Sequence, residues 1–355
     1  MISETALTHD DSHEFDVDAA ITAPPAPAAE AESLSQKPTP MRLASLYPPF
    51  HRLTAEAPAS VMTTPSMMSD AERYLLYNLA QRYYRGAGLI VDAGIFLGGS
   101  THCFAAGLRD NERTAMACER WGKPIISLER AVVSPTMPGF FARHGFGQHY
   151  RPGDSFADLL VSTVKPHLDL VELRVGDIME LGEVDDRIEI LFLDVLKNQK
   201  IADFAFQEYF PALIPGRSMV IQQDYFFEGL PFIKTYQEFF GRHFDYIGEV
   251  GSSAVFRCIE KIPASEVRKL TAGLAAAEQL RLNAIAMQRS GDPTRRLLMA
   301  LSKARLVYQL KGSAAAADYL AHVEDDFAGE LGPGTPDRIR AAVRDTRKFC
   351  KLTEA

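Results

Sequence analysis

The apolar positions of this chain follow two rhythms. Between residues 89 and 225 they bunch into short runs at 89–91, 124–129, 170–177, 188–194 and 218–225. Runs of that length read as strands, and Leu89 to Val91, wholly apolar and β-branched at two of three positions, as one buried on both faces. Helical spacing lies between them: at 102–108, at 155–164, and through Phe204, Phe206 and Phe210. Strands alternating with helices in this way predict a doubly wound, mostly parallel sheet. Its end differs, because 244–250 and 254–260 are separated only by Gly251-Ser252-Ser253. A parallel return needs a crossover of roughly a dozen residues, so so short a link predicts an antiparallel hairpin.

The flanks have the other rhythm. Ser69-Asp70-Ala71-Glu72 is a capping box, and Tyr74, Leu75, Tyr77, Leu79 and Tyr83 follow it as a helix leading into the first strand. Beyond Pro263 the spacing is helical throughout. One helix is expected over 264–288, a second opened by Asp292-Pro293 and running to Lys311-Gly312, a third over 314–327, and a fourth opened by Thr335-Pro336. The chain is therefore expected to be α/β: a Rossmann-like doubly wound sheet with a terminal hairpin over 71–262, followed by an all-helical extension over 263–355. That extension is read as packing on the sheet domain or on a second subunit, with a protein-binding module as the alternative. Residues 1–40, acidic and then rich in Pro and Ala, have too few large apolar side chains to offset the entropy of ordering and read as a disordered tail. Residues 41–70 read as a lead-in segment, 110–121 as irregular, and 134–154 as a loop over the carboxyl edge of the sheet.

Composition narrows the class. The 355 residues carry 38 basic and 46 acidic side chains, a formal charge of −8, so there is no basic footprint for nucleic acid or an anionic membrane. The four cysteines are scattered without a C-x-x-C pair, which argues against zinc fingers and disulfide frameworks. No run reaches the roughly 18 apolar residues of a membrane span, and the N-terminus lacks the order of a signal peptide. A cytoplasmic location is expected.

Chemistry concentrates after the first strand. Asp92-Ala93-Gly94-Ile95-Phe96-Leu97-Gly98-Gly99-Ser100-Thr101 is an acid followed by a glycine-bearing turn into a helix, the place where open α/β sheets bind nucleotides. The glycine spacing does not fit the Gly-x-Gly-x-x-Gly fingerprint of dinucleotide sites, and this counts against a nicotinamide-dependent oxidoreductase. Asp-x-Gly-x-x-x-Gly-Gly-Ser-Thr resembles motif I of the class I S-adenosylmethionine (SAM) dependent methyltransferases, and more narrowly the macrocin-type sugar O-methyltransferase and cephalosporin-hydroxylase-like branch. An acid suits the ammonium of SAM, whereas it would repel a pyrophosphate. The resemblance covers 71–262. It implies cofactor binding by Asp92, Gly94, Gly98 and Gly99, by Glu129 at the ribose, and by Asp177 near the adenine.

The same resemblance implies that Asp194 and Asp224, at the ends of the fourth and fifth strands, carry the catalysis and hold a divalent metal, Mg2+, that activates an acceptor hydroxyl. Two carboxylates with waters and a substrate diol suit such an ion. The sequence departs from that pattern at Leu196, Lys197 and Gln223, where further ligands are usual. Metal-free candidates for a base are His144, His149 and His167, each also readable as a solvated loop residue, and His102 reads as structural. Phe140, Phe141, Phe146, Tyr150, Tyr225, Phe226 and Phe227 are candidates either for the wall of an acceptor pocket or for core. The expected function is methylation of a small-molecule or sugar hydroxyl. The rival is a non-catalytic protein of the same fold serving as a binding or accessory partner.

Overall fold

A computed structural model describes residues 44–146 and 150–352. The tail expected over 1–40 and the candidate base His149 lie outside the described residues. Eight strands form one sheet: β1 (Ala44–Leu46), β2 (Leu89–Ala93), β3 (Ile125–Glu129), β4 (Val171–Val175), β5 (Ile188–Leu193), β6 (Met219–Gln222), β7 (Phe244–Val250) and β8 (Ser253–Cys258), in the order β1-β7-β8-β6-β5-β2-β3-β4. The five strands β6, β5, β2, β3 and β4, which run to one edge, are parallel. The β7–β8 hairpin pairs antiparallel to β6, as its short link predicts. The fold is Rossmann-like, and the chain winds from β2 outward to β4, then returns past β2 to β5 and β6. That reversal opens a crevice between the carboxyl ends of β2 and β5.

Alternation along the strands builds two cores. Ile90, Ile125, Val171, Phe192 and Ile221 bury one face of the sheet against the helices Asp70–Asn78 and Gly99–Arg109. Val91, Leu191, Leu193 and Val220 bury the other against Gln199–Tyr209 and Pro231–Phe239. The capping box forms as expected, with Ser69 and Glu72 each bonding the other's backbone N–H.

Several local expectations need correction. β1 lies within the lead-in segment and extends the sheet by pairing antiparallel with β7. It is only three residues long, too short to show a period. The stretch 110–121 contains the helix Thr114–Trp121, and 134–154 contains the helix Met137–Arg143. The helix expected over 264–288 is two, Ala264–Thr271 and Ala276–Arg289, broken at Gly273, whose φ of +101° no right-handed helix accommodates.

The C-terminal helices pack on the sheet domain of their own chain. Arg289 donates to Glu238 at 2.6 and 2.9 Å, Asn283 to Thr235 at 2.6 Å, and the wholly buried Arg295 to Glu249 at 2.5 Å. A third core of Leu297, Leu301, Leu320, Val323 and Ile339 holds the outer helices together. Among the described residues no helix is long and apolar enough to cross a membrane.

Candidate functional site

A cleft of about 310 Å³ opens at the crevice between β2 and β5. Gly94, Ile95 and Phe96 line it from the turn after β2, Asp194 and Lys197 from beyond β5, and Gln223 and Asp224 from beyond β6. Two flanking segments close over it: Ser66, Met67 and Met68 from the lead-in, and Arg338 from the first turn of the last helix, Asp337–Phe349. Neither contribution is visible from strand-end reasoning, because both come from outside the sheet.

The turn is shaped by its glycines. Gly94 has φ +92°, and a Cβ there would sit 2.7 Å from the Asp194 carbonyl, so the turn can lie against the end of β5 only without a side chain. Gly98 takes the left-handed conformation (φ +82°) at the N-cap of Gly99–Arg109, and Gly99 faces Ser66, whose Cβ would be 2.8 Å from an added methyl.

Asp92 lies beneath this turn and is fully buried. Its Oδ2 accepts from Ser100 at 3.0 Å and Thr101 at 2.7 Å, while Oδ1 has no partner. Burial pushes its carboxyl up to about 7; the two hydroxyls pull against that, and Asp194 and Glu129 add to it. The acid thus holds the start of the helix and acts on the cleft through Ser100, which lines it. Direct contact with an ammonium, the sequence-level rationale for this acid, is not what its burial provides.

Glu129 joins β3 to the same turn. Its carboxylate accepts from the N–H of Phe96 at 2.8 Å and of Ala131 at 2.9 Å. Burial raises its pKa, against these backbone bonds. Phe96 is left-handed (φ 51°), and its ring packs on Phe140, Phe141 and Phe156 at centroid distances of 5.1 to 5.6 Å. Asp177 is exposed and caps the short helix Ile178–Leu181 through the Met179 N–H.

On the other side of the cleft Asp194 and Asp224 do converge. Lys197 Nζ stands between them, donating to Asp194 Oδ1 and to Asp224 Oδ2 at 2.6 Å each. Burial pushes the Asp194 carboxyl up, Lys197 opposes this and Asp224 reinforces it. Burial pulls Lys197 down, but the two carboxylates outweigh it and keep the ammonium charged above its ordinary range. Asp224 itself sits at φ 58°, a left-handed backbone uncommon outside glycine and found at functional sites.

The donor set does not fit the expected magnesium site. An ammonium fills the space between the two carboxylates, and among the described residues there is no group of three or more His, Cys, Asp or Glu side chains that could hold a metal ion. Gln223 is occupied elsewhere: its Nε2 donates to Ser252 Oγ at 2.6 Å and its Oε1 accepts from Ser253 Oγ, tying β6 to the hairpin turn.

The other candidates separate. His102 and His167 bond each other at 2.7 Å, and His102 Nε2 bonds the Ser60 carbonyl at 2.9 Å, so this pair fastens the lead-in segment. His144 is exposed and stacks on Phe140 at 4.2 Å. Phe140, Phe141, Tyr225 and Phe226 are core residues, whereas Phe227 is partly exposed.

No family model and no curated protein matches the chain. Among solved structures it is similar to the O-methyltransferase from Bacillus cereus in complex with SAH, at 17% identity and TM-score 0.37, over 56% of this chain and 86% of that one. It is also similar to a methyltransferase from Geobacter sulfurreducens, at 18% identity and TM-score 0.32, over 52% and 76% of the two chains. The pyocyanin biosynthetic protein PhzM matches at 14% identity and TM-score 0.25, over 46% and 42%.

Proposed function

We propose that this protein is a SAM-dependent methyltransferase that modifies a hydroxyl of a small molecule or sugar. One observation carries the reading: the glycine turn after β2 and the acids ending β5 and β6 line a single cleft at the point where the strand order reverses. A cofactor on the turn and an acceptor beside the acids would meet there, and transfer needs little beyond positioning and removal of a proton.

SAM, when bound, supplies a methyl group on a sulfonium, already a good leaving group. The chain's own residues do the rest. Gly94 and Gly98 let the ligand approach the backbone, and Asp92 fixes Ser100 and the helix start. Glu129 braces Phe96 and remains the candidate for ribose hydroxyls, with Asp177 the candidate near the adenine. Asp194 or Asp224 would take the proton of an acceptor hydroxyl held beside them in the cleft, and the sulfonium of bound SAM would supply the methyl group. A carboxyl pushed up by burial, as that of Asp194 is, is a better base than an exposed one.

Thermal unfolding with SAM, S-adenosylhomocysteine or NAD tests this. A ligand at 100 times its Kd stabilises by about 2.7 kcal/mol. Stabilisation by the two adenosyl compounds and not by NAD is expected. No shift with any of them would transfer the weight to a non-catalytic accessory protein.

A further inference from the structure

We propose that the Lys197 ammonium is the resident cation of the Asp194–Asp224 pair and takes the place a divalent metal would fill. The inference concerns the cleft's own side chains and holds whether or not the protein transfers methyl groups.

The geometry is that of a bridged cation. The two acids end adjacent parallel strands, β5 and β6, and Lys197 follows Asp194 by three residues, so its stem reaches across the strand ends to both. Both N–O distances are 2.6 Å, just below the usual range of charge-assisted bonds. The ammonium brings two carboxylates and one positive charge to a net of −1. A divalent ion could enter only by expelling that ammonium and leaving it beside a dipositive centre. Magnesium also demands near-octahedral oxygen ligands, and Gln223, which lines the cleft beside Asp224, is held by Ser252 and Ser253.

This changes what the pair can do. A tethered cation is permanent, so the acids are compensated without any metal supply. Lysine has three N–H donors, and two are taken here. The third is left for an oxygen of a molecule in the cleft, which a metal-bound arrangement would have met through the ion.

Mn2+ binding to the purified full chain, after chelator treatment, tests the assignment by electron paramagnetic resonance. The wild type is expected to show no site saturating below millimolar Mn2+. Lys197→Met, which keeps most of the apolar stem, is expected to gain a site at least tenfold tighter than any in the wild type, and Asp224→Asn in that background to remove it. Two results overturn the proposal: a wild-type Mn2+ site abolished by Asp224→Asn alone, or a folded Lys197→Met that gains none. The first needs no lysine variant, so it decides the matter even if Lys197→Met fails to fold.

Discussion

The two banks of the cleft satisfy their acids in different ways. On the β2–β3 side, Asp92 and Glu129 are bonded by Ser100, Thr101 and two backbone N–H groups, all parts of the framework. On the β5–β6 side, Asp194 and Asp224 are bonded by one long side chain whose surface is 55% exposed. The first bank is built into the fold and reads as rigid binding machinery. The second is compensated by one partly exposed ammonium, on the side where the proposed reaction would move a proton. Changes on the first bank should therefore cost binding and stability together, and changes on the second should cost turnover alone.

The largest effect is expected at Asp92. Asp92→Ala leaves Ser100 and Thr101 without their shared acceptor inside the core, and SAM binding should be lost together with several kcal/mol of stability. A subtler variant sharpens the point. Because the folded carboxyl titrates near 7 against 3.8 for an ordinary aspartate, the folded state holds a proton that the unfolded state releases. Its contribution is full below pH 4 and lost as pH rises toward 7, on the order of 4 kcal/mol in all. Asp92→Asn should flatten the melting profile across that window, and an unchanged slope would mean that the acid is not buried as described.

Asp224→Asn is next. It should leave the thermal shift with S-adenosylhomocysteine intact while lowering kcat by about 10²-fold, the usual scale for a lost general base. Equal losses of binding and turnover would erase the difference between the banks.

That difference also decides what the sequence could disclose. Asp92, Ser100 and Thr101 lie within ten residues across one strand–turn–helix, so all three fall inside the motif whose resemblance singled out Asp92, and the sheet's alternation and terminal hairpin were equally local. Lys197 was visible only as a departure from an expected ligand pattern, because its bond to Asp224 spans 27 positions and depends on two strands lying side by side. Arg338 and Ser66 carried no signal, since nothing in a helical repeat or a proline-rich lead-in indicates which cleft it will cover. Asp177 is the reverse case: a strand-end acid noticed for its position, whose local part as the cap of the helix Ile178–Leu181 went unread.

A smaller effect is expected where the lead-in segment is fastened. His102 Nε2 must donate to the Ser60 carbonyl, so Nδ1 accepts from His167 Nε2–H, and His167 Nδ1 is bare, buried and unpartnered. One added proton leaves the bond between the rings but places a charge where burial disfavours it, and a second proton breaks the bond. Burial, with His102 and Arg109 nearby, pulls His167 down to about 4, and His102 is lowered too, chiefly by burial. A depressed histidine stabilises above its unfolded pKa and loses that contribution as pH falls from about 6.5 to 4. His167→Gln, which keeps an N–H donor without the titration, should remove about 1 to 2 kcal/mol of the acid-side slope. Because this slope runs opposite to that of Asp92, the two variants should tilt the stability profile in opposite directions.

The smallest effect separates fold from function at the cap. Glu72 accepts from the Ser69 N–H and hydroxyl and from Ser252 and Ser253, and those serines hold Gln223 beside the acids of the second bank. Ser69→Ala removes one hydroxyl from this set and should cost about 1 kcal/mol, the ordinary loss of an N-cap. The backbone N–H at position 69 and the hairpin-turn bonds to Glu72 and Gln223 remain, so the strand end carrying Asp224 should stay in place. Melting should therefore shift by a few degrees while the stabilisation by S-adenosylhomocysteine stays unchanged. If ligand stabilisation fell as well, the cap and the cleft would be one cooperative unit, and the contrast between the two banks would have to be drawn at Lys197 alone.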